Sequence, residues 1–289
     1  MEHLHLIGPG RLGLALADAL AEAEAVTAIR VCGRHPDPPA HPLFTQGIAE
    51  YAFGLGEIDP ETTVVVLAVP DTVLPELAHA LAAHPPPREG LPVLHTAGTL
   101  SGDVLAPLHA RGYSAGTFFP LMTVPHAVPG ARLFEGAGVV VSGERDALGT
   151  ARRLAFALGA RPIEIAVARR TLAHAASLLV STGIAGLIAA AEDLLARAGV
   201  ESEVSRASLL HVGESALDGI ARFGPVRGVT GPVTDGDIEA AALHMRALPP
   251  EIQGLYREVG RAALRRHMEE VGSDPTIHDH FIELFGEDG

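Results

Sequence analysis

Three closely spaced glycines near the start of the chain form a pattern that is typical of phosphate binding. The segment reads, in order, Gly8, Pro9, Gly10, Arg11, Leu12 and Gly13, with the spacing G-x-G-x-x-G. A strand is predicted before it, and a helix after it. The first glycine permits a tight turn, the second lets the backbone approach a pyrophosphate, and the third lets the helix pack closely on the strand. The segment therefore predicts a dinucleotide site at the start of that helix.

The residues roughly 20 positions beyond this segment select the dinucleotide. There, at the end of the second predicted strand, the chain has Gly33, Arg34 and His35, and no acidic residue. An acidic side chain would hold the ribose hydroxyls of NAD and repel a 2′-phosphate, whereas a guanidinium binds that phosphate. We therefore predict NADP as the cofactor, held by Arg34, with Arg11 adding positive charge near the pyrophosphate. The alternative interpretation of Arg34 is an ordinary solvated arginine.

Two further segments follow the next two predicted strands. Because the carboxyl ends of parallel strands form the crevice in which dinucleotides bind, both segments should lie near the nicotinamide half of the cofactor. The predicted contacts are Val69, Pro70, Asp71, Thr96, Ala97 and Gly98. Small side chains at 96–98 would let the nicotinamide ring lie against the backbone.

Hydride transfer also needs a group that exchanges a proton with the substrate. A lysine base is excluded, because all 21 basic residues are arginine. His174 lies early on the first predicted helix of the second half, and Ser181 follows two turns later on nearly the same face. We predict that both bind a small polar substrate and that His174 acts as acid or base. The alternatives are a packed core or dimer-interface histidine and a small serine that permits close helix packing.

Metal binding and cysteine chemistry are not favoured by the sequence. The histidine pairs His3/His5 and His278/His280 have no third ligand at a recognisable spacing. The one cysteine, Cys32, falls in a predicted buried strand, where packing is its expected role. We therefore predict no metal site.

Strands and helices alternate in the first part of the chain, whereas the second part is predicted to be helical. Such alternation is typical of a parallel sheet with right-handed connections. After Ile165, apolar residues recur at helical spacing, with breaks at glycines and prolines. The sequence therefore predicts an α/β Rossmann dinucleotide-binding domain over residues 1–165 and an all-α domain over residues 166–289. We assign substrate binding and dimerisation to the second domain.

The composition indicates a folded, acidic chain. It has 289 residues, of which 47% are hydrophobic, and a formal net charge of −14, which opposes binding to nucleic acid or anionic membranes. No secretory leader is recognised at its start, so we predict a cytoplasmic location. Residues 171–191 carry no formal charge and are long enough to cross a bilayer, but their small and polar side chains favour a buried helix of a soluble protein.

Six segments together carry a family resemblance: Gly8–Gly13, Leu67–Asp71, His95–Ser101, Phe118–Thr123, His174–Ala176 and Thr230–Pro232. Through them the chain resembles the Rossmann-like proteins of the pyrroline-5-carboxylate reductase and 6-phosphogluconate dehydrogenase superfamily, and most closely an uncharacterised branch with a helical C-terminal domain of unknown function. The resemblance implies an NADP-binding protein that forms a homodimer through its helical domains. The chain departs from the branch at four positions. The branch usually has His at the position of Phe119, Gln at that of Met122, Asn at that of Thr182 and Arg at that of Asp235.

Three functions fit these observations. The favoured one is an NADP-dependent oxidoreductase that transfers a hydride to or from a small carbonyl or imine in the cleft between the domains. The four departures favour a second hypothesis, a non-catalytic NADP(H)-binding sensor or scaffold protein. The third is a relative of the deazaflavin-dependent NADP reductases, which share the glycine pattern but usually have a shorter second half.

Overall fold

A computed structural model describes residues 1–125, 132–272 and 275–286 of the chain. It forms two compact units, Met1–Ser181 and Thr182–Gly289. The first unit contains a sheet with helices packed on it, and the described part of the second is helical. All strands of the described chain lie before residue 165, and the assignment of residues 1–165 and 166–289 as the two domains stays a prediction.

The first unit is built on one eight-stranded sheet with the order β3-β2-β1-β4-β5-β6-β7-β8. Its strands are β1 (Glu2–Ile7), β2 (Val26–Gly33), β3 (Glu50–Phe53), β4 (Val64–Leu67), β5 (Pro92–His95), β6 (Ser114–Pro120), β7 (Gly138–Gly143) and β8 (Arg161–Ile163). Strands β1 to β6 are parallel, β7 runs antiparallel to β6, and β8 is parallel to β7. The predicted Rossmann class is confirmed.

Helices cover both faces of this sheet. They are α1 (Arg11–Glu22), α2 (Pro42–Thr45), α3 (Leu74–Ala82), a 3₁₀ turn (Gly102–Leu105) leading into α4 (Ala106–His109), and α5 (Arg145–Ala157). Successive residues of β4 point to opposite faces: Val64 and Val66 join the core beneath α1 and α5, whereas Val65 and Leu67 join the core beneath α3 and α4. Burial on both faces explains why this strand is a continuous apolar run.

The rest of the described chain is helical, and its breaks follow the glycines and prolines that the sequence singles out. After a 3₁₀ turn (Val167–Arg169), the helices are α6 (Arg170–Arg197), α7 (Ser202–Arg227), α8 (Pro232–Asp235), α9 (Ile238–Ala247), α10 (Pro250–Glu270) and α11 (Pro275–Phe285). Gly199, at φ +84°, follows α6, and Gly224, at φ +83°, interrupts α7 just before Pro225. The core of the second unit contains Ala241, Leu264, Phe281 and Phe285.

Helix α6 corrects one expectation. The uncharged segment 171–191 is helical as predicted, and the helix is long and apolar enough to span a membrane by length and composition alone. However, none of its most apolar 18-residue stretch is buried, so the prediction of a buried core helix is wrong for the single chain. Leu179, for example, is 76% exposed. The composition of a helix cannot tell whether its own chain or another molecule covers it.

Candidate functional site

The glycine segment forms the turn between β1 and α1. Gly8 has φ +113°, and a Cβ at this position would lie 2.3 Å from the carbonyl oxygen of Ala68, which follows β4. A Cβ at Gly13 would lie 2.1 Å from the carbonyl oxygen of Gly8. Both glycines are therefore required by close packing of the turn, the helix and the neighbouring strand.

The middle glycine is different, because no described atom beyond its own chain neighbours lies within 4 Å of the place where its Cβ would be. Gly10 directly precedes α1, whose first turn has no side-chain cap and no acidic residue. The first N–H groups of this helix are therefore available to an external acceptor, and the open space at Gly10 lets that acceptor approach the backbone. Leu12, the fifth residue of the motif, packs against the core.

The end of β2 lies beside this turn. A Cβ at Gly33 would lie 2.8 Å from Cγ of Pro9, so this glycine lets the two segments meet. The Tyr51 hydroxyl donates a hydrogen bond of 2.6 Å to the carbonyl oxygen of His35 and fixes the chain after β2. Arg34, which lies between Gly33 and His35 in the sequence, is exposed. Its side chain has no hydrogen bond or ion pair within the described part of the chain. Its guanidinium is free to bind an anion.

The sheet order places the glycine turn where a dinucleotide crevice is expected. Strand β1 lies between β2 and β4, so the chain changes direction across the sheet at this point, and ligands bind beyond the carboxyl ends of the strands there. Arg11, on the first turn of α1, is exposed and donates a 3.4 Å hydrogen bond to the carbonyl oxygen of Val124. Arg11 therefore stands next to the free N–H groups of the helix.

The segment after β4 reaches both neighbouring turns. Cγ1 of Val69 would lie 3.0 Å from a Cβ at Gly8, so this side chain packs on the glycine turn. Pro70 is exposed. The carboxylate of Asp71 accepts a 2.6 Å hydrogen bond from the hydroxyl of Thr99, which links the ends of β4 and β5.

The segment after β5 is buried, and its last residue is covered by two rings. Thr96 and Ala97 are 7% and 3% exposed. A Cβ at Gly98 would lie 2.7 Å from Cδ2 of His174 and 2.8 Å from Cζ of Phe119. These rings pack edge to face, with centroids 5.4 Å apart. The small residue at 98 therefore makes room for these two side chains, which belong to the same unit.

The two predicted substrate residues have different surroundings. His174 is half-buried and lies beside the carboxyl ends of β5 and β6. The Ser181 hydroxyl donates a 3.0 Å hydrogen bond to the carbonyl oxygen of Ser177, one turn earlier in α6. The seven residues between His174 and Ser181 correspond to a rise of about 10 Å along the helix. The structure therefore does not bring the two side chains to one small group.

The last residue of β5, His95, lies in this region and was not selected by sequence reasoning. It is fully buried, and its Nδ1 accepts a 3.2 Å hydrogen bond from the N–H of Ala97, so Nε2 carries the proton and donates to the hydroxyl of Thr117 at 3.0 Å. Burial lowers the pKa of His95 to about 3, helped by the positive charge of Arg170 and opposed by Asp71. His95 is thus a neutral residue that fixes the chain after β5.

Arg170, the first residue of α6, is the second residue that the sequence analysis missed. It is 2% exposed, and its Nη2 donates a 3.2 Å hydrogen bond to the carbonyl oxygen of Ala97. Its Nε and Nη1 are buried and have no hydrogen-bond partner among the residues that the structure describes. Burial lowers the pKa of Arg170, and the Asp71 carboxylate opposes that shift. The signal that could have found it is its place in the sequence, because this arginine stands where the strand-containing part of the chain gives way to the helical part.

Neither metal nor thiol chemistry gains support. No group of three or more metal-ligating side chains occurs in the ranges 1–125, 132–272 and 275–286. His5 Nε2 lies 2.9 Å from the carbonyl oxygen of Leu55 and 3.4 Å from Sγ of Cys32. Burial raises the pKa of the Cys32 thiol to about 11, so it is a neutral packing group rather than a nucleophile.

Comparison with known families covers both parts of the chain. A Rossmann-like domain matches residues 3–120, and the family described as a domain of unknown function, DUF2520, matches residues 137–263. The curated proteins contain no match. Together the two matches cover most of the chain, with the Rossmann-like domain first and DUF2520 second.

Three solved structures share this fold. A candidate NADP oxidoreductase from Bacteroides fragilis has 22% identity and a TM-score of 0.72, with 92% of this chain and 98% of that chain covered. A protein from Thermotoga maritima has 18% identity and a TM-score of 0.70, with the same shares covered. Pyrroline carboxylate reductase from Plasmodium falciparum, with NADP bound, has 14% identity and a TM-score of 0.61, with 97% and 98% covered. These likenesses show the fold over nearly the whole length of the chain.

Proposed function

We propose that this protein is an NADP-dependent oxidoreductase that transfers a hydride to or from a small carbonyl or imine. The observation that carries the proposal is that two features lie at one edge of the sheet in the first unit. The glycine turn leaves the first N–H groups of α1 open at Gly10, and His174 contacts Gly98 after β5. One feature suits the phosphates of a dinucleotide and the other suits proton exchange beside its reactive end.

The residues at the glycine turn fit such a cofactor. The N–H groups that open α1 would hold the pyrophosphate, and Gly8 and Gly13 keep the turn close enough to β4 for that approach. Arg34, exposed and without a partner in the described chain, would bind the 2′-phosphate, which is the support for NADP over NAD. The NADP-bound reductase with the same fold agrees with this choice.

The chain itself supplies positioning and a proton. A nicotinamide cofactor supplies or accepts the hydride when bound. As a general acid and base, His174 would give a proton to the substrate oxygen or nitrogen during reduction and take it back during oxidation. The edge-to-face contact with Phe119 holds the imidazole in place. A substrate-binding role for Ser181 has less support, because its hydroxyl donates a hydrogen bond within α6.

One observation favours a second function, a non-catalytic NADP(H)-binding sensor or scaffold protein. The rings of His174 and Phe119 cover Gly98, where a nicotinamide ring was expected. Phe119 also stands where the related branch usually has a histidine. If these rings keep their places in the NADP-bound protein, the cofactor would bind without reaching a substrate.

We also propose that the protein is a homodimer whose interface includes α6. Six large apolar side chains of this helix are exposed: Leu172, Leu178, Leu179, Val180, Ile184 and Leu187. A helix that is apolar on several sides is normally covered, and a contiguous apolar surface marks an interaction site. A second copy is favoured over a bilayer because the first turn of α6 is bonded to the sheet through Arg170, and Glu192 near its other end pairs with Arg206. The cytoplasmic location stays a prediction.

The test of the proposed function is the oxidation of NADPH by the purified chain with a panel of carbonyls and imines. At least one compound should be reduced, and His174→Ala should lower kcat by about 100-fold, as expected for loss of a general acid. His211→Ala is the matched control, because it makes the same substitution at an exposed histidine of α7, and we expect it to retain kcat. Tight NADPH binding without turnover of any compound would favour the sensor or scaffold function, and equal kcat in His174→Ala would remove the imidazole from the mechanism.

A further inference from the structure

A buried cation with unused donors lies at the predicted site. Arg170 is 2% exposed, yet its Nε and Nη1 have no hydrogen-bond partner among the described residues. A buried guanidinium with unsatisfied N–H groups is unfavourable, because each lost hydrogen bond to water must be replaced inside the protein. Such a group completes its hydrogen bonds with a water molecule, an ion or a ligand that the chain itself does not supply.

The described protein groups around Arg170 leave two of its donor atoms without an acceptor. Its one hydrogen bond, from Nη2, goes to the neutral carbonyl oxygen of Ala97. Asp71 is near enough to act on the charge of Arg170, but its carboxylate accepts the hydrogen bond of Thr99. His95, also nearby, keeps a neutral imidazole whose two nitrogens are both used. No described side chain therefore supplies the missing acceptor.

Arg170 lies near His174, the residue that is proposed to exchange a proton with the substrate. Arg170 and His174 are separated by one turn of α6, so their side chains lie on the same face of the helix. Both contact the segment after β5, Arg170 through Ala97 and His174 through Gly98. A ligand held by the guanidinium would thus present its neighbouring atoms to the imidazole.

We propose that Arg170 binds the carboxylate of the substrate and that the substrate class is therefore small 2-oxo acids and their imines. This inference rests on the proposed oxidoreductase function. A carboxylate fits better than a phosphate, because one guanidinium matches a single negative charge and the nearby carboxylate of Asp71 opposes a doubly charged group. Held in this way, the carbon next to the carboxylate lies beside His174, which exchanges the proton.

The experiment measures binding by calorimetry, with the chain alone and with NADP⁺ present, because NADPH would reduce a bound 2-oxo acid during the measurement. The probes are 2-oxo acids from pyruvate to 2-oxohexanoate and, for each, the amide that lacks the negative charge. We expect at least one acid to bind the wild-type chain about 10- to 100-fold more tightly than its amide. If no acid binds more tightly than its amide, the proposal is overturned, and this comparison needs no variant.

Two variants identify the cation. Arg170→Met should weaken binding of the acid by about 10- to 100-fold and leave NADPH affinity unchanged. Arg169→Met is the matched control, because Arg169 is the preceding residue and is exposed, and it should bind both ligands as the wild type does. Loss of NADPH affinity in Arg170→Met, with acid binding intact, would assign the guanidinium to the cofactor and overturn the proposal. Failure of the wild type to bind NADPH, with acid binding still dependent on Arg170, would instead overturn the proposed function alone.

Discussion

The imidazole of His174 lies directly against the backbone of Gly98, so that a Cβ on Gly98 would be 2.7 Å from Cδ2 of the histidine. The two residues come from different parts of the sequence, one from the segment after β5 and the other from the second turn of a long helix. This contact brings the only predicted acid or base to the sheet edge that carries the glycine turn.

Gly98→Ala should therefore destabilise the protein by about 1–3 kcal/mol, because the added methyl group must displace the rings of His174 and Phe119. Gly102→Ala is the control, since no described atom lies within 4 Å of a Cβ there. Chemical unfolding of both variants checks this prediction. Equal stability of the two variants would mean that the rings do not rest on Gly98.

The stability of the fold should fall in mild acid because of His95. Its pKa is lowered to about 3 in the folded protein, against about 6.5 in an unfolded chain, so the unfolded state takes up a proton that the folded state rejects. The contribution is present above about pH 6.5 and is lost as the pH falls, by up to about 1.4 kcal/mol per pH unit.

Unfolding titrations between about pH 7 and pH 5 measure this dependence. His95→Asn should lower stability at neutral pH but show a shallower fall in acid. His84→Asn, at an exposed histidine, should keep the wild-type slope. A variant of His95 with an unchanged slope would show that this imidazole takes up protons equally in the folded and unfolded states, which contradicts the prediction.

The dimer prediction can be tested on the exposed surface of α6. Leu179→Glu, at a side chain that is 76% exposed, should convert a dimer into a monomer, because a buried carboxylate without a partner is unfavourable. Val271→Glu, after α10, is the control and should remain dimeric. Light scattering gives the mass of each, and a monomeric wild type, or one that partitions into lipid vesicles, would contradict the interface.

Much of the first unit could be predicted from local patterns. The run Val64–Leu67 and the glycine segment indicate a strand buried on both faces and a strand-turn-helix unit without tertiary information. The edge strand β3 was not predicted, because its four residues are at most partly buried and show no clear alternation of apolar and polar side chains. The antiparallel direction of β7 was not predicted, because the spacing of strands along a sequence does not distinguish parallel from antiparallel neighbours.

The candidate site was only partly predictable, for a similar reason. Gly10 and Arg34 belong to a local motif, so their positions follow from the turn that contains them. Arg170 and His95 matter because the fold buries them beside each other, and burial of a single polar residue is a tertiary property. Ser181 shows the opposite error, since helical spacing placed it correctly on α6 but could not show that its hydroxyl is bonded to Ser177.

The most direct test of the central claim is a fluorescence titration of the wild-type chain and Arg34→Asp with NADPH and with NADH. The wild type should bind NADPH more tightly, and Arg34→Asp should lose NADPH affinity by about 10- to 100-fold while NADH affinity changes little, because only NADPH carries the 2′-phosphate. Arg145→Asp makes the same charge change at an exposed residue of α5, at the opposite edge of the sheet, and should bind as the wild type does. Equal loss of both dinucleotides in Arg34→Asp, or no binding of either by the wild type, would contradict this account.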